Sequence, residues 1–126
     1  MVDFANPEPG EALPSAIARL RSRADGTVLC DYGLHCTVVD TAAERLAEIP
    51  GLIAAGVPTF KGFLAYKGRL MLEPAAMKEL MLAVKLAGGL LLVHAEDGHL
   101  NAVAQDVLLN TGRDRKSTRL NSSHRL

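Results

Sequence analysis

The sequence predicts an α/β fold built on a parallel sheet, in about four consecutive β-α units. Three observations predict it. Short apolar runs with strand character alternate with amphipathic helical stretches in the order β-α-β-α-β-α-β-α, and such alternation gives parallel strands joined by right-handed crossovers. The composition is 48% hydrophobic but only 4% aromatic, with no Trp, which suits helices on a sheet better than a β-sandwich. No Gly-rich phosphate fingerprint follows any strand, which weakens a dinucleotide-binding version. An open doubly wound sheet and a (β/α)8 barrel both begin this way, and four units are half of such a barrel. At 126 residues the chain can form one domain with a real core.

The elements follow in order. Val2-Asp3-Phe4 is short for a strand, but the loop Asn6-Pro7-Glu8-Pro9-Gly10 suits the exit from one. A helix over about Glu11 to Ala24 puts Leu13, Ala16, Ile17 and Leu20 on one face, and Asp25-Gly26 ends it. The second strand is read as Val28 to about Val39, where Leu34, Cys36 and Val38 alternate with more polar neighbours. Thr41-Ala42-Ala43-Glu44 has the form of a capping box. It opens a helix carrying Leu46, Ile49 and Ile53, which Pro50 and Gly51 should split. Val57 to Phe63 is the third strand. Glu73-Pro74 starts a helix with Met77, Leu80, Met81 and Val84 as its buried stripe, and Gly88-Gly89 stops it. Leu90 to Val93 is continuously apolar, as in a strand covered on both faces. A last helix over about His99 to Asn110 shows Leu100, Val103, Val107 and Leu108 at helical spacing.

Charge and cysteine content exclude several classes. From Asp114 onward stand four basic residues (Arg115, Lys116, Arg119, Arg125) and one acid, leaving a body with 10 basic and 13 acidic residues. A mildly acidic body argues against a nucleic-acid footprint. Cys30 and Cys36 match no zinc or redox spacing and read as two reduced thiols in the core of a cytoplasmic protein. No apolar run approaches the roughly 20 residues that span a bilayer, so no membrane association is expected. The start of the chain, with Asp3, Asn6, Pro7 and Pro9, has no signal-peptide pattern.

The stretch Asp114 to His124 breaks the pattern, with one apolar residue in eleven. It reads as the in-frame translation of a common sequencing-library adapter. Residues 1–113 are therefore expected to be native sequence, a piece of a longer enzyme, and 114–126 a non-native tail.

In parallel α/β folds functional groups gather at the carboxyl ends of the strands, and Lys61 and His94 both fall there. Taken singly, Lys61 reads as a surface lysine and His94 as a packed, hydrogen-bonded histidine. Together they carry a resemblance. Thr59-Phe60-Lys61-Gly62-Phe63-Leu64-Ala65-Tyr66-Lys67-Gly68 resembles the lysine segment of the hydantoinase/dihydropyrimidinase branch of the amidohydrolase superfamily. Val93-His94-Ala95-Glu96-Asp97-Gly98 resembles its histidine segment. Asp3-Phe4-Ala5 and Asp31-Tyr32-Gly33-Leu34-His35 fit the same order and spacing.

The resemblance implies a partial (β/α)8 TIM barrel and a metal-dependent cyclic amidase acting on hydantoins or dihydropyrimidines. In such enzymes the lysine, here Lys61, is carboxylated by carbon dioxide and bridges two divalent metal ions, usually Zn2+, about 3.5–4 Å apart. His94 would ligate one metal, and a hydroxide held between the ions would attack the cyclic amide carbonyl. Tyr66 would be catalytic, donating its hydroxyl to the oxyanion and so touching substrate. Phe63 would line the substrate pocket, although a core aromatic is an equally good reading. The resemblance also implies a homotetrameric parent. Asp97 stands where many relatives have Asn, and Gly62 where many have a larger apolar residue; His35 reads as structural and His99 as an exposed first-turn residue.

The family's remaining ligands, a His-x-His pair, a later His and an Asp, do not occur in residues 1–113 at the places the family requires. Two protein ligands cannot hold a dinuclear site, so the chain alone is expected to bind no stoichiometric metal and to be inactive. The alternatives are a non-catalytic dihydropyrimidinase-related scaffold, or another amidohydrolase such as an allantoinase or dihydroorotase. Intact Lys61 and His94 favour the enzyme, and the Phe63-to-Tyr66 continuation favours the hydantoinase branch.

Overall fold

The computed structural model describes residues 1–111; residues 112 and 113 and the adapter-like tail lie outside the described residues. Four strands, β1 (Val2–Ala5), β2 (Gly33–Thr37), β3 (Thr59–Phe63) and β4 (Leu90–His94), form one sheet in the order β1-β2-β3-β4. Every neighbouring pair is parallel. The helices are α1 (Leu13–Ala24), α2 (Ala43–Ala47), α3 (Ile49–Ala54), α4 (Pro74–Leu86) and α5 (Gly98–Asn110). Strands and helices thus alternate as the sequence predicts. None of the described helices is long and apolar enough to cross a membrane.

The core lies on one face of the sheet. Ala5, Leu34, Cys36 and Phe60 are buried there with Leu13 and Ile17 of α1, Ile49 and Leu52 of α3, and Met77, Leu80 and Val84 of α4. Phe60 is the largest fully buried side chain. Alternation along a strand sends the other residues, Phe4, His35, Thr37, Lys61, Phe63, Leu92 and His94, to the opposite face. Gly62 falls on the core face, where an added Cβ would lie 2.8 Å from Cε and 3.1 Å from Sδ of Met77. The missing side chain lets α4 settle onto β3.

Polar groups fix the helices. Glu48, between α2 and α3, accepts a hydrogen bond from the Leu13 backbone N–H at 2.8 Å. It satisfies one of the free donors at the start of α1 and is paired in turn with Arg45. Pro50 sits in the first turn of α3, so the proline splits the predicted helix as expected. The capping box does not form. Ala42 is the N-cap residue of α2, Asp40 Oδ1 accepts from Ala42 N at 2.6 Å, and Thr41 instead donates to Glu79 at 3.1 Å. With the helix starting one residue later than the box requires, no side chain caps α2.

Three further expectations are corrected. The second strand is five residues long, not twelve, because β1 offers only Val2 to Ala5 as partners. Residues 28–32 are irregular, and Cys30 is exposed rather than a core thiol. β4 is an edge strand among the described residues, so Leu90 and Val93 are exposed instead of covered. The apolar stripe of α5 stays open for the same reason, with Leu100, Val103 and Val107 exposed, and Met81 of α4 is likewise exposed.

Two measurements check this packing. Burial pushes the Cys36 thiol up to about 12, with Glu48 adding to the rise. Thiol titration should therefore find Cys30 alone reactive in native buffer and Cys36 reactive only after denaturation. Gly62→Ala should stay within about 1 kcal/mol of the parent in denaturant unfolding, since the tip of Met77 can swing aside and alanine restricts the unfolded chain. Gly62→Leu should lose about 1–3 kcal/mol by overpacking.

Candidate active site

The register of β3 and β4 sets the site. Lys61 pairs with Leu92 and Phe63 with His94, so Lys61, Phe63 and His94 rise from the same face; Phe63 and His94 end their strands, whereas Lys61 is the middle residue of β3 and not, as the sequence suggests, at its end. Phe63 stacks on His94, with ring centroids 5.7 Å apart and planes at 27°. The Lys61 amine lies 5.1 Å from the centroid of Phe63 and 5.9 Å from that of Phe4, within cation–π range of both. Among the described residues it makes no ion pair.

Tyr66 closes the cluster from above. Its ring centroid is 5.3 Å from that of His94 and 5.7 Å from that of Phe63. The backbone there has φ of 64°, the one positive φ outside glycine among the described residues. For a bulky residue that conformation is strained by on the order of 1–3 kcal/mol. The turn that imposes it is held by Arg69 N and Leu70 N, which donate to Tyr66 O at 3.0 and 3.1 Å. Strain retained beneath an exposed ring indicates that the ring's position matters.

A glycine ties this turn to the histidine segment. Gly98, first residue of α5, donates its N–H to Leu64 O at 2.9 Å, and Leu64 N donates to His94 O at 3.0 Å. A Cβ on Gly98 would meet Met71 Sδ at 2.4 Å and Leu64 O at 2.6 Å. The close approach requires glycine, because a backbone oxygen cannot swing away as a side-chain tip can. Asp97 caps α5, with Oδ1 accepting from His99 N at 3.0 Å and Leu100 N at 2.9 Å, so the carboxylate does structural work there. A cleft of about 300 Å³ lined by Leu64, Met71, Leu72 and residues 95–99 lies behind this junction. None of Lys61, Tyr66 and His94 lines it.

One ring nitrogen of His94 faces the Glu96 carboxylate. Nε2 is buried and makes no hydrogen bond among the described residues. It lies 3.3 Å from Glu96 Oε1, within ion-pair distance but outside hydrogen-bond geometry, while Glu96 Oε2 accepts from Asn101 at 2.8 Å. A buried imidazole nitrogen that makes no hydrogen bond and has a carboxylate only at ion-pair distance could ligate a metal. No cluster of three or more His, Cys, Asp or Glu that could hold an ion occurs among the described residues. The residues present thus fit two positions of a metal centre, Lys61 once carboxylated and His94, and no more.

The other histidines behave as expected. His35 Nδ1 is 2.6 Å from Thr59 Oγ1, with the ring 5.0 Å from Phe4, a structural pair one layer below Lys61. His99 is exposed in the first turn of α5, 3.2 Å from Glu73. Sequence reasoning missed Phe4, Thr37, Glu96 and Gly98 at the site. Only the alternation of His35, Thr37, Thr59 and Lys61 along two strands could have hinted at Thr37.

No protein-family model matches the chain. Individual relatives do. The D-hydantoinase of Streptomyces coelicolor is 34% identical over 118 residues, covering 94% of this chain and 24% of the relative. Dihydropyrimidinase 2 of Caenorhabditis elegans is 35% identical over 114 residues, 89% of this chain and 22% of the relative. Among solved structures, a D-hydantoinase superposes with a TM-score of 0.86 at 30% identity. The dihydropyrimidinase of Brevibacillus agri NCHU1002 does so at 0.85 and 34%. Each match covers 89% of this chain and 24% of that structure. In sequence and in fold the chain belongs to the hydantoinase/dihydropyrimidinase family, as a partial (β/α)8 barrel spanning about a quarter of the length of the relatives it matches.

Proposed function

We propose that this chain supplies the lysine–histidine part of a metal-dependent cyclic amidohydrolase that opens hydantoin or dihydropyrimidine rings. The observation that carries the reading is the placement of Lys61 and His94 on one face of adjacent strands, two register positions apart, with the Tyr66 ring 5.3 Å from that of His94 and His94 Nε2 without a hydrogen bond. The names of the relatives, D-hydantoinase and dihydropyrimidinase, support a small cyclic amide or ureide as the substrate.

Each residue has a distinct task. Carboxylation turns the Lys61 amine from a cation into an anion with two oxygens, able to hold two divalent cations, with Zn2+ the preferred pair; His94 Nε2 would hold one of them. When bound, such cations supply the acidity that makes water nucleophilic at neutral pH. The Tyr66 hydroxyl donates to the carbonyl oxygen of the scissile amide as it gains negative charge, and stabilises the transition state more than the substrate. Phe63 gives the ring an apolar wall and keeps Lys61 and His94 apart from bulk water. Hydrolysis then breaks the ring C–N bond, with hydroxyl added to carbon and hydrogen to nitrogen.

The complete enzyme, which we place in the cytoplasm as a homotetramer, needs ligands beyond Lys61 and His94. The chain by itself therefore binds no stoichiometric metal and turns over no hydantoin. Zinc retained at two per chain after dialysis, or measurable turnover, would contradict that. In a polypeptide completed to the relatives' full length, Lys61→Ala should abolish bound metal and activity together, whereas retained activity would overturn the assignment. Tyr66→Phe should keep the metal and lower kcat about 10²-fold, measured by ring opening of a hydantoin.

A further inference from the structure

Among the described residues two buried side-chain polar atoms lack a hydrogen-bond partner, His94 Nε2 and Thr37 Oγ1. The first has a task in the reading above and the second has none. Thr37 is 0% exposed, the single buried polar residue among those described. It pairs in register with Lys61 on the neighbouring strand, so both side chains rise from one face. The Lys61 amine lies 5.9 Å from the ring of Phe4, which stands on β1, beyond β2. Its nearer ring, Phe63 at 5.1 Å, stands on β3 itself, so the amine lies within reach of rings from both strands that flank β2, the strand that carries Thr37. A buried hydroxyl without a partner costs stability, and valine would fill the same volume without that cost. Such a group is consistent with a polar partner that arrives later.

We propose that Thr37 is a positioning residue for Lys61. Its hydroxyl donates a hydrogen bond to the carboxylate that Lys61 carries after reacting with carbon dioxide, and holds that group over β2. The proposal rests on the reading of Lys61 given under Proposed function. The step balances without oxidant or reductant. The unprotonated amine nitrogen gives its lone pair to the carbon of carbon dioxide, one C–O π pair moves onto oxygen, and the nitrogen releases one proton to water. The product is an anion whose oxygens only accept, and a hydroxyl beside it forms the stronger, charge-assisted class of hydrogen bond.

The test uses the whole chain in isotope-labelled bicarbonate, with the carbamate read by its carbon resonance and Lys61→Ala as the blank. The parent chain should show one Lys61-dependent signal. Thr37→Val should need about tenfold more bicarbonate for equal occupancy, and Thr37→Ser should restore most of the loss. Without bicarbonate, Thr37→Val should melt no lower than the parent, since it removes an unpaired hydroxyl and leaves no void. Equal occupancy in parent and Thr37→Val would overturn the role of Thr37 and leave the reading of Lys61 standing. A lower melting point for Thr37→Val without bicarbonate would also overturn it, by giving the hydroxyl a structural partner. A parent chain with no Lys61-dependent signal would overturn the reading of Lys61 itself, and this proposal with it.

Discussion

The constraint on which the site depends is the parity of the β3–β4 register. Phe63 opposite His94 and Lys61 opposite Leu92 put an amine, a phenyl ring and an imidazole on one face. A slip of β4 by one residue would send His94 to the other face, away from Lys61 and Phe63. That face is already filled: Phe60 is buried among the helices, and Gly62 has Met77 and Leu80 above it. The apolar core therefore specifies the functional face indirectly. Burial of Phe60 and Leu91 toward α4 leaves Lys61 and His94 only the opposite side.

The two faces divide stability from chemistry. The helix-side face carries close-packed aliphatic groups and Phe60, with no titratable group buried among them except the Cys36 thiol. The opposite side gathers features that reduce stability: a tyrosine in a left-handed conformation, and a buried imidazole nitrogen and a buried hydroxyl that make no hydrogen bond among the described residues. Strain and unpaired polar groups persist where the surrounding structure over-determines them, and here that surrounding is the helix-side core. The Gly98–Leu64 contact adds a local clamp. It couples the turn bearing Tyr66 to the segment that follows His94, so the distance between the two rings is set by backbone rather than by side-chain packing.

Much of this was legible before any coordinates. Helix-period stripes marked α1 and α4, Pro50 marked the break between α2 and α3, and strand ends marked His94 and, although it lies at mid-strand, Lys61. The failures share one physical cause: a strand or an apolar stripe is defined by its neighbour as much as by itself. Val28 to Tyr32 has apolar residues enough for a strand, but the Met1 backbone oxygen accepts from Gly33 N, so pairing begins only there. Leu90 to Val93 reads as covered on both faces because the run is continuously apolar, yet β4 stands at the edge of the described sheet and Leu90 and Val93 are exposed. Thr41 is not the cap because α2 starts after Ala42 and the Thr41 hydroxyl donates instead to Glu79, 38 residues away in sequence. Thr37 was invisible for a related reason, since its partner in register lies 24 residues away on β3.

The most direct measurement of the central claim is the set of proton–proton contacts made by the His94 ring in solution. The account predicts nuclear Overhauser contacts from the His94 ring to the rings of Phe63 and Tyr66, whose centroids lie 5.7 and 5.3 Å away, and none to Met77 or Leu80. Contacts from His94 to Met77 or Leu80, or their absence to both aromatic rings, would place the imidazole on the helix side and contradict the account.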